Sequence, residues 1–382
     1  MLDMARTREV LDASTDFTLA IEEEFQILDP QTRGLTQRFS DVKAAAAGDP
    51  VLADAITGEL IESEIEIRSG KADTPADAVA QQREARARLF RLAADSGVAL
   101  AATATHPWSP WQEQKIIQTE HYQRVAEGLQ YVAWTNNTFG IHVHVGIRGA
   151  DRAIAVCDRL RPVMPELLAV SANSPFLDGR DTGLHSARTQ IFTKSFPRCG
   201  IPDHYGSFDA YADYVDFLVA AGSIIEATQI WWSVRPHHSF GTVEMRICDA
   251  QSSGDESFAL AGLLVAAVVQ AALDEDDGVP FEPHPHRLIE ENFWRALRYG
   301  LDGRMIDLTR REEFPAAALP ERLLEWTAPA RTALGIHSSF GSENGAQRQR
   351  RALADGASLE EVFAAEIDLT RRTYTHERVA VD

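Results

Sequence analysis

Residues Thr18 to Pro30 read TLAIEEEFQILDP, and the alternation inside this stretch decides how the rest of the chain is read. In an extended strand successive side chains point to opposite faces, so Glu22 and Glu24 share one face while Ile21, Glu23, Phe25 and Ile27 lie on the other. Two carboxylates that close, in a partly apolar setting, repel one another and lose hydration, so a cation is expected to offset them. A divalent metal is the first candidate. An acid run by itself more often marks a solvated face.

The pattern recurs. Glu59 to Gly70 read ELIESEIEIRSG, which places Glu62, Glu64, Glu66 and Arg68 on one face and Ile61, Ile65 and Ile67 on the other. Edge strands that use charge against aggregation remain an alternative reading of such a pair.

A third segment, Trp134 to Gly149, reads WTNNTFGIHVHVGIRG and turns His142 and His144 to one side, opposite Ile141, Val143 and Val145. Two neutral imidazoles at i and i+2 can converge on one metal, or can be hydrogen-bonded core histidines. In Ser233 to Gln251, SVRPHHSFGTVEMRICDAQ, a turn is followed by a strand whose Thr242, Glu244, Arg246 and Cys248 share a face. Glu244 beside Arg246 reads either as a same-face ion pair or as a metal ligand next to an arginine that forks onto phosphate or carboxylate.

Four strands with ionisable groups on one face and aliphatics on the other imply a sheet with one wet, functional face. Oxygen ligands such as Glu22, Glu24, Glu66 and Glu244 suit Mg²⁺ or Mn²⁺, and so few histidines argue against a zinc hydrolase centre. Metal-binding carboxylates on an arginine-lined face imply a phosphate-bearing substrate. The chain contains neither GxxxxGK[ST] nor GxGxxG, so any nucleotide must be held by this face and not by a glycine loop.

The chain has 382 residues, 45% hydrophobic and 25% charged, as in a soluble globular protein. Its formal net charge of −20 argues against nucleic acid as a partner and for a small molecule. Three scattered cysteines, Cys157, Cys199 and Cys248, form no CxxC, which fits a reducing cytoplasm. The start, MLDMARTREVLDAS, lacks the apolar stretch of a signal peptide and reads as a frayed arm or short helix. The apolar run Phe258 to Leu273 is short for a bilayer and reads as a buried helix, so no membrane association is expected.

Helical and strand patterns are interspersed without a regular βαβ rhythm, which predicts an α+β fold. Thr74-Pro75 caps a helix that stops near Gly97. Further helices are predicted at Trp111–Ala133, Asp151–Val170, Phe208–Ala221, Ser257–Leu273, Pro285–Tyr299, Pro320–Leu334 and Ser358–Tyr374. Strands are predicted at Thr18–Leu28, Leu60–Ser69, Val98–Thr103, Gly140–Ile147 and Gly241–Asp249. Asp274 to Pro285, DEDDGVPFEPHP, reads as a surface loop.

Together TLAIEEEFQILDP, ELIESEIEIRSG, FGIHVHVGI, SARTQIFTKSFPRCGIP, VRPHHSFGTVEMRICDAQ, RYGLDGRMID and ENGAQRQRR, in that order, resemble the glutamate-cysteine ligase type 2 family. These are carboxylate-amine ligases related in fold to glutamine synthetase. The resemblance implies a mainly antiparallel sheet curved into a half-barrel, with helices packed on its outer face. It implies an N-terminal arm at 1–16 and a single catalytic domain at 17–378.

It also implies ATP and Mg²⁺ (or Mn²⁺) as cofactors. The metal ligands it implies are Glu22, Glu24, Glu66 and Glu244, with His142 and His144 at the metal or the phosphates, and with Glu59 or Glu62 as further acids. Arg246, Arg235, Arg188, Lys194 and Arg350 would surround phosphates and substrate carboxylates. Cys199 departs from the small hydroxyl residue expected there, which bears on the amine acceptor.

The implied reaction joins glutamate and cysteine into γ-glutamylcysteine through an acyl phosphate. Other readings are a guanidino-type phosphotransferase, a metallohydrolase using His142 and His144, and a silent nucleotide- or amino-acid-binding relative. A homo-oligomer is compatible with such a fold, although no segment argues for one. Glu23, on the apolar side, has no role in this reading.

Overall fold

A computed structural model of the chain describes residues 3–375. The outer limits of the two expected segments, residues 1–2 and 376–378, lie outside it. Seven strands build one open sheet: β1 (Leu19–Leu28), β2 (Ile56–Thr57), β3 (Glu64–Arg68), β4 (Ala99–Ala101), β5 (Ile141–Gly146), β6 (Val234–His237) and β7 (Thr242–Met245). Their order is β6-β7-β5-β1-β3-β2, and β4 pairs with the far end of β1. Every pairing in it is antiparallel. The fold is the expected α+β type, with the sheet not closed into a barrel.

The register carries the functional face. Glu22 lies opposite His142 and Arg68, Glu24 opposite Glu66, Gln26 opposite Glu64, and Glu244 opposite both His144 and Arg235. Because direct cross-strand partners project to the same side, these polar groups share one face. The opposite face, with Ile21, Val143, Val145 and Met245, packs on the helices α2 (Ala150–Leu160) and α3 (Gly254–Asp276). Phe25, Ile65 and Ile67 pack on α1 (Pro75–Asp95), and Phe25 meets Phe90 edge-on with ring centroids 5.6 Å apart.

Two further helices, α4 (Gly345–Ala354) and α5 (Leu359–Thr375), complete this side, and Tyr374 of α5 reaches Phe25 at 5.2 Å. By length and composition α3 is long enough to cross a membrane, unlike the shorter apolar run read from sequence. However, 72% of its apolar window is buried, so it serves as a core helix.

Several boundaries differ from the sequence expectations. The second acidic strand starts only at Glu64, because the chain turns at Glu62 and Ser63. The Glu62 carboxylate leaves the sheet face to accept bonds from the Ser40 amide and hydroxyl at 3.1 and 2.7 Å. The last acidic strand ends at Met245, so Arg246 lies just beyond it. Val234–His237 form a strand where the sequence predicts a turn. Pro236 is tolerated there because β6 lies at the sheet edge, where a missing amide breaks no ladder.

Pro162 and Pro165 divide the helix expected at Asp151–Val170, and Pro329 that at Pro320–Leu334, while Trp111–Ala133 breaks into a short 3₁₀ turn and two helices. Of the two readings of the start, the short helix holds, at Met4–Asp12 with Leu11 fully buried.

Thr74 caps α1 as expected, its hydroxyl accepting from the Asp77 amide at 3.2 Å with Pro75 in the first turn. Thr74→Ala should destabilise the protein by about 1 kcal/mol in urea unfolding. A change near zero would show that the helix does not depend on this cap.

Candidate metal and substrate site

The functional face gathers its acids around two histidines. His142 Nδ1 lies 3.3 Å from Glu22 Oε2, and its Nε2 lies 3.6 Å from Glu24 Oε1. His144 Nε2 lies 3.4 Å from Glu22 Oε1 and 3.9 Å from Glu244 Oε1, while its Nδ1 is 2.9 Å from the Thr242 hydroxyl. Three groups of donor atoms converge within 4.8 Å: Glu22, Glu66 and His142; Glu22, His144 and Glu244; and Glu24, Glu59 and Glu66.

The electrostatics divide this face in two. Burial pushes the carboxyls of Glu22 and Glu244 up, but their partners prevail and hold both well below the usual range. These partners are His144 and His142 for Glu22, and Arg235 and Arg246 for Glu244. Glu64 and Glu66 are pushed well above the usual range, first by burial and then by neighbouring carboxylates, against which Arg188 and Arg68 are the weaker influences. Glu59 is pushed up to about 7 by burial and by Glu24.

Around Glu59, Glu64 and Glu66, therefore, burial and mutual repulsion outweigh the arginines nearby. His142 Nε2 is buried and has no hydrogen-bond partner among the described residues. Crowded carboxylate oxygens and one orphaned imidazole nitrogen form a donor set that fits a hard divalent cation. Glu244 is less available, because Arg235 grips it through Nε at 2.7 Å and Nη2 at 3.2 Å while Arg246 also donates to it.

Two hollows flank this row. The larger, about 690 Å³, opens beside Glu22 and His144 and is lined also by Arg68, Lys71, Gln81 and Phe240. Phe240 stacks on His237 with centroids 4.2 Å apart and planes 7° apart, leaving its ring largely exposed. The smaller, about 200 Å³, holds Glu24, Glu59, Glu64 and His142 together with Arg188, Arg235 and Arg246, and Phe192, Phe196 and Trp231 contribute to its wall.

Arg188 is buried, donating from Nη1 to the Ile247 carbonyl at 3.1 Å and from Nη2 to the Arg246 carbonyl at 3.2 Å. The Nε atoms of Arg188 and Arg246 are buried without an acceptor among the described residues.

The structure thus brings together Glu22, Glu24, Glu66, Glu244, His142, His144, Arg188, Arg235 and Arg246. It does not bring Lys194 or Arg350 to either hollow. Lys194 pairs with Glu290 and covers the Phe293 ring at 4.1 Å, while Arg350 forks onto Asp181 at 2.6 and 3.0 Å. Of the two further acids, Glu59 reaches the site and Glu62 does not. Glu64, which the alternation places on the acidic face, also lines the smaller hollow. His237 and Phe240 carried no sequence signal, since their contact depends on how β6 turns into β7.

The profile of glutamate-cysteine ligase family 2 (GCS2) matches residues 18–366. A protein of Sorangium cellulosum named "Putative glutamate--cysteine ligase 2" is 40% identical over 348 residues, covering 91% of each chain. One of the same name from Solibacter usitatus is 38% identical over 360 residues, covering 92% of this chain and 93% of its own.

Among solved structures, the glutamate-cysteine ligase of Francisella tularensis in complex with AMP superimposes with a TM-score of 0.65 at 12% identity, covering 96% of this chain and 90% of its own. A bifunctional glutathione synthetase of Pasteurella multocida gives 0.67 at 12% identity, covering 98% of this chain and 54% of its own. At that identity the likeness is one of fold.

Gly140 is where two site residues meet: its amide donates to Glu24, and a Cβ there would collide with the Arg188 guanidinium. Gly140→Ala should cost about 1 to 3 kcal/mol in chemical denaturation, and parent-like stability would show that Arg188 is not fixed over this residue.

The raised carboxyls predict a pH dependence. Glu59 binds a proton in the metal-free folded chain up to about 7 but in the unfolded chain only up to its ordinary 4.5. Its stabilising contribution is complete below about 4.5 and is lost as pH rises through about 7. Melting temperatures of chelator-treated protein should fall across this window, less steeply in Glu59→Gln, with Mn²⁺ restoring more stability at its upper end. Equal Mn²⁺ effects at both ends would contradict the assignment.

Proposed function

The chain belongs to glutamate-cysteine ligase family 2, and from that premise we propose that it is an ATP-dependent carboxylate-amine ligase, acting on glutamate and cysteine. The observation that supports this most is the row Glu22, Glu24, Glu66, His142 and His144 lying between two hollows of different character. The larger hollow has the size and the exposed Phe240 ring to take a nucleotide base, with Arg68 and Lys71 as its cations. The smaller has the arginines for an acidic amino acid.

Glu22, Glu24 and Glu66, with His142 and His144, would hold the divalent cations. When bound, these ions neutralise charge on the phosphates and on the phosphoryl group in flight. Two bond changes follow. The side-chain carboxylate of glutamate attacks the γ-phosphorus of ATP, and the bond to the bridging oxygen breaks, giving ADP and an acyl phosphate. The cysteine amine then adds to the acyl carbon, loses a proton and expels phosphate, leaving an amide.

Neither change requires a covalent bond to the protein, so this chain's residues act by placement and charge. The Nε–H groups of Arg188 and Arg246, without an acceptor among the described residues, would serve as donors to a substrate carboxylate or to phosphoryl oxygens. Arg235 holds Glu244, and Glu244 in turn holds Arg246 in place. The aromatic wall of Phe192, Phe196 and Trp231 limits access of water to the reactive carbonyl.

Purified protein supplied with ATP, Mg²⁺ and glutamate should release phosphate only when cysteine or another amine acceptor is added, and the product mass should be that of an amide. Glu24→Gln should lower kcat on the order of 100-fold or more while the chain stays folded. No turnover with any amino acid pair would count against the ligase. A phosphorylated acceptor would instead identify a phosphotransferase, and turnover without ATP a hydrolase.

A further inference from the structure

The middle acid of the opening run lies behind the site. Glu23 is buried on the apolar side of β1, and each of its oxygens accepts two hydrogen bonds. Oε2 accepts from Arg86 Nε at 2.6 Å and from Gln82 Nε2 at 2.9 Å. Oε1 accepts from Arg86 Nη2 and from the Ser257 hydroxyl.

Arg86 is fully buried, donates also to the Gly254 carbonyl at 3.2 Å, and lies 3.5 Å over the Phe258 ring and 4.4 Å from that of Tyr374. Four elements therefore meet at one side chain: β1, α1 through Gln82 and Arg86, the start of α3 through Gly254, Ser257 and Phe258, and the end of α5 through Tyr374.

An apolar residue would fill this position at less desolvation cost, because a buried ion pair is no better than a well-packed hydrophobic substitute for stability alone. What four directional bonds add is position. Glu23 sits between Glu22 and Glu24 in a strand, so fixing its side chain at the back fixes the backbone from which both front carboxylates project. The two carboxylates face different partners: Glu22 lies between His142 and His144, and Glu24 accepts from the Gly140 amide. A shift of β1 along its axis would misplace both at once.

We propose that Glu23 is a positioning residue, held by Arg86, Gln82 and Ser257, that sets the spacing of the Glu22 and Glu24 carboxylates for divalent-cation binding and phosphoryl transfer. The inference rests on reading Glu22 and Glu24 as cation ligands. It assigns the middle acid of the motif to the scaffold that aims the other two.

The test separates aim from glue. A Glu23→Leu, Arg86→Met double variant removes the ion pair without leaving a lone buried charge. Calorimetric titration with Mn²⁺ and steady-state kinetics are then compared with the parent, along with melting temperature. The expected result is a folded chain whose Mn²⁺ dissociation constant rises about 10- to 100-fold, with kcat falling about 100-fold and more steeply than KM rises.

Parent-like Mn²⁺ affinity and kcat in the folded double variant would overturn the proposal and leave Glu23 as core packing. Should that variant fail to fold, Gln82→Met and Ser257→Ala each remove one bond to Glu23 and create no unpaired charge. Weaker Mn²⁺ binding in either one, at unchanged melting temperature, supports the proposal, and parent values in both overturn it. The titration needs no turnover, so a parent that binds Mn²⁺ but joins no amino acids would sink the ligase reading and leave this inference standing. A parent that binds no Mn²⁺ would overturn the inference itself.

Discussion

The constraint on which this structure depends is the crowding of carboxylates on one face of a sheet whose other face packs on helices. Glu22, Glu24, Glu64, Glu66 and Glu244 are all buried on β1, β3 and β7, and the protein supplies positive charge to only part of the row. Arg235 and Arg246 neutralise Glu244, and His142 and His144 serve Glu22. Around Glu66 the nearest cation is Arg68, 3.8 Å away and partly exposed. A charge imbalance of this kind is costly unless protons or metal ions fill it, and that requirement ties the fold to its chemistry.

The two sides of β1 show how one strand serves both needs. At the front, acids are left in excess and face open hollows. At the back, Glu23 has every lone pair engaged and its charge matched by Arg86. The same residue type one position apart is thus either a carboxylate crowded by others of its kind or a fully bonded structural joint. The difference comes from which elements cover each side: α1 and α3 bring donors to the back, whereas the front opens onto the two hollows.

Most of the sheet was legible because period-two alternation survives in the four segments that form its centre. Once Glu22, Glu66, His142 and Glu244 were assigned to polar faces, their convergence followed from antiparallel pairing, and the register bears out that common face. What alternation could not supply was long-range pairing. Nothing in VRPH announces a strand, yet β6 places Arg235 directly opposite Glu244. Lys194 and Arg350 looked available as isolated cations, but their acidic partners, Glu290 and Asp181, are 96 and 169 residues away in sequence. Glu23 stayed unexplained for the same reason, since its partners come from helices starting at Pro75 and Gly254.

The proposed arrangement is a divalent-cation site in the acid row, adjoining a nucleotide. A crystal structure with Mn²⁺ and a non-hydrolysable ATP analogue tests it most directly, because the anomalous signal locates the ions independently of any refined ligand. Peaks are expected between Glu22, Glu24, Glu66 and the two histidines, at about 2.0 to 2.3 Å from their donor atoms, with the base in the hollow beside Phe240. Peaks elsewhere, or a nucleotide bound with no ion on this face, would contradict it.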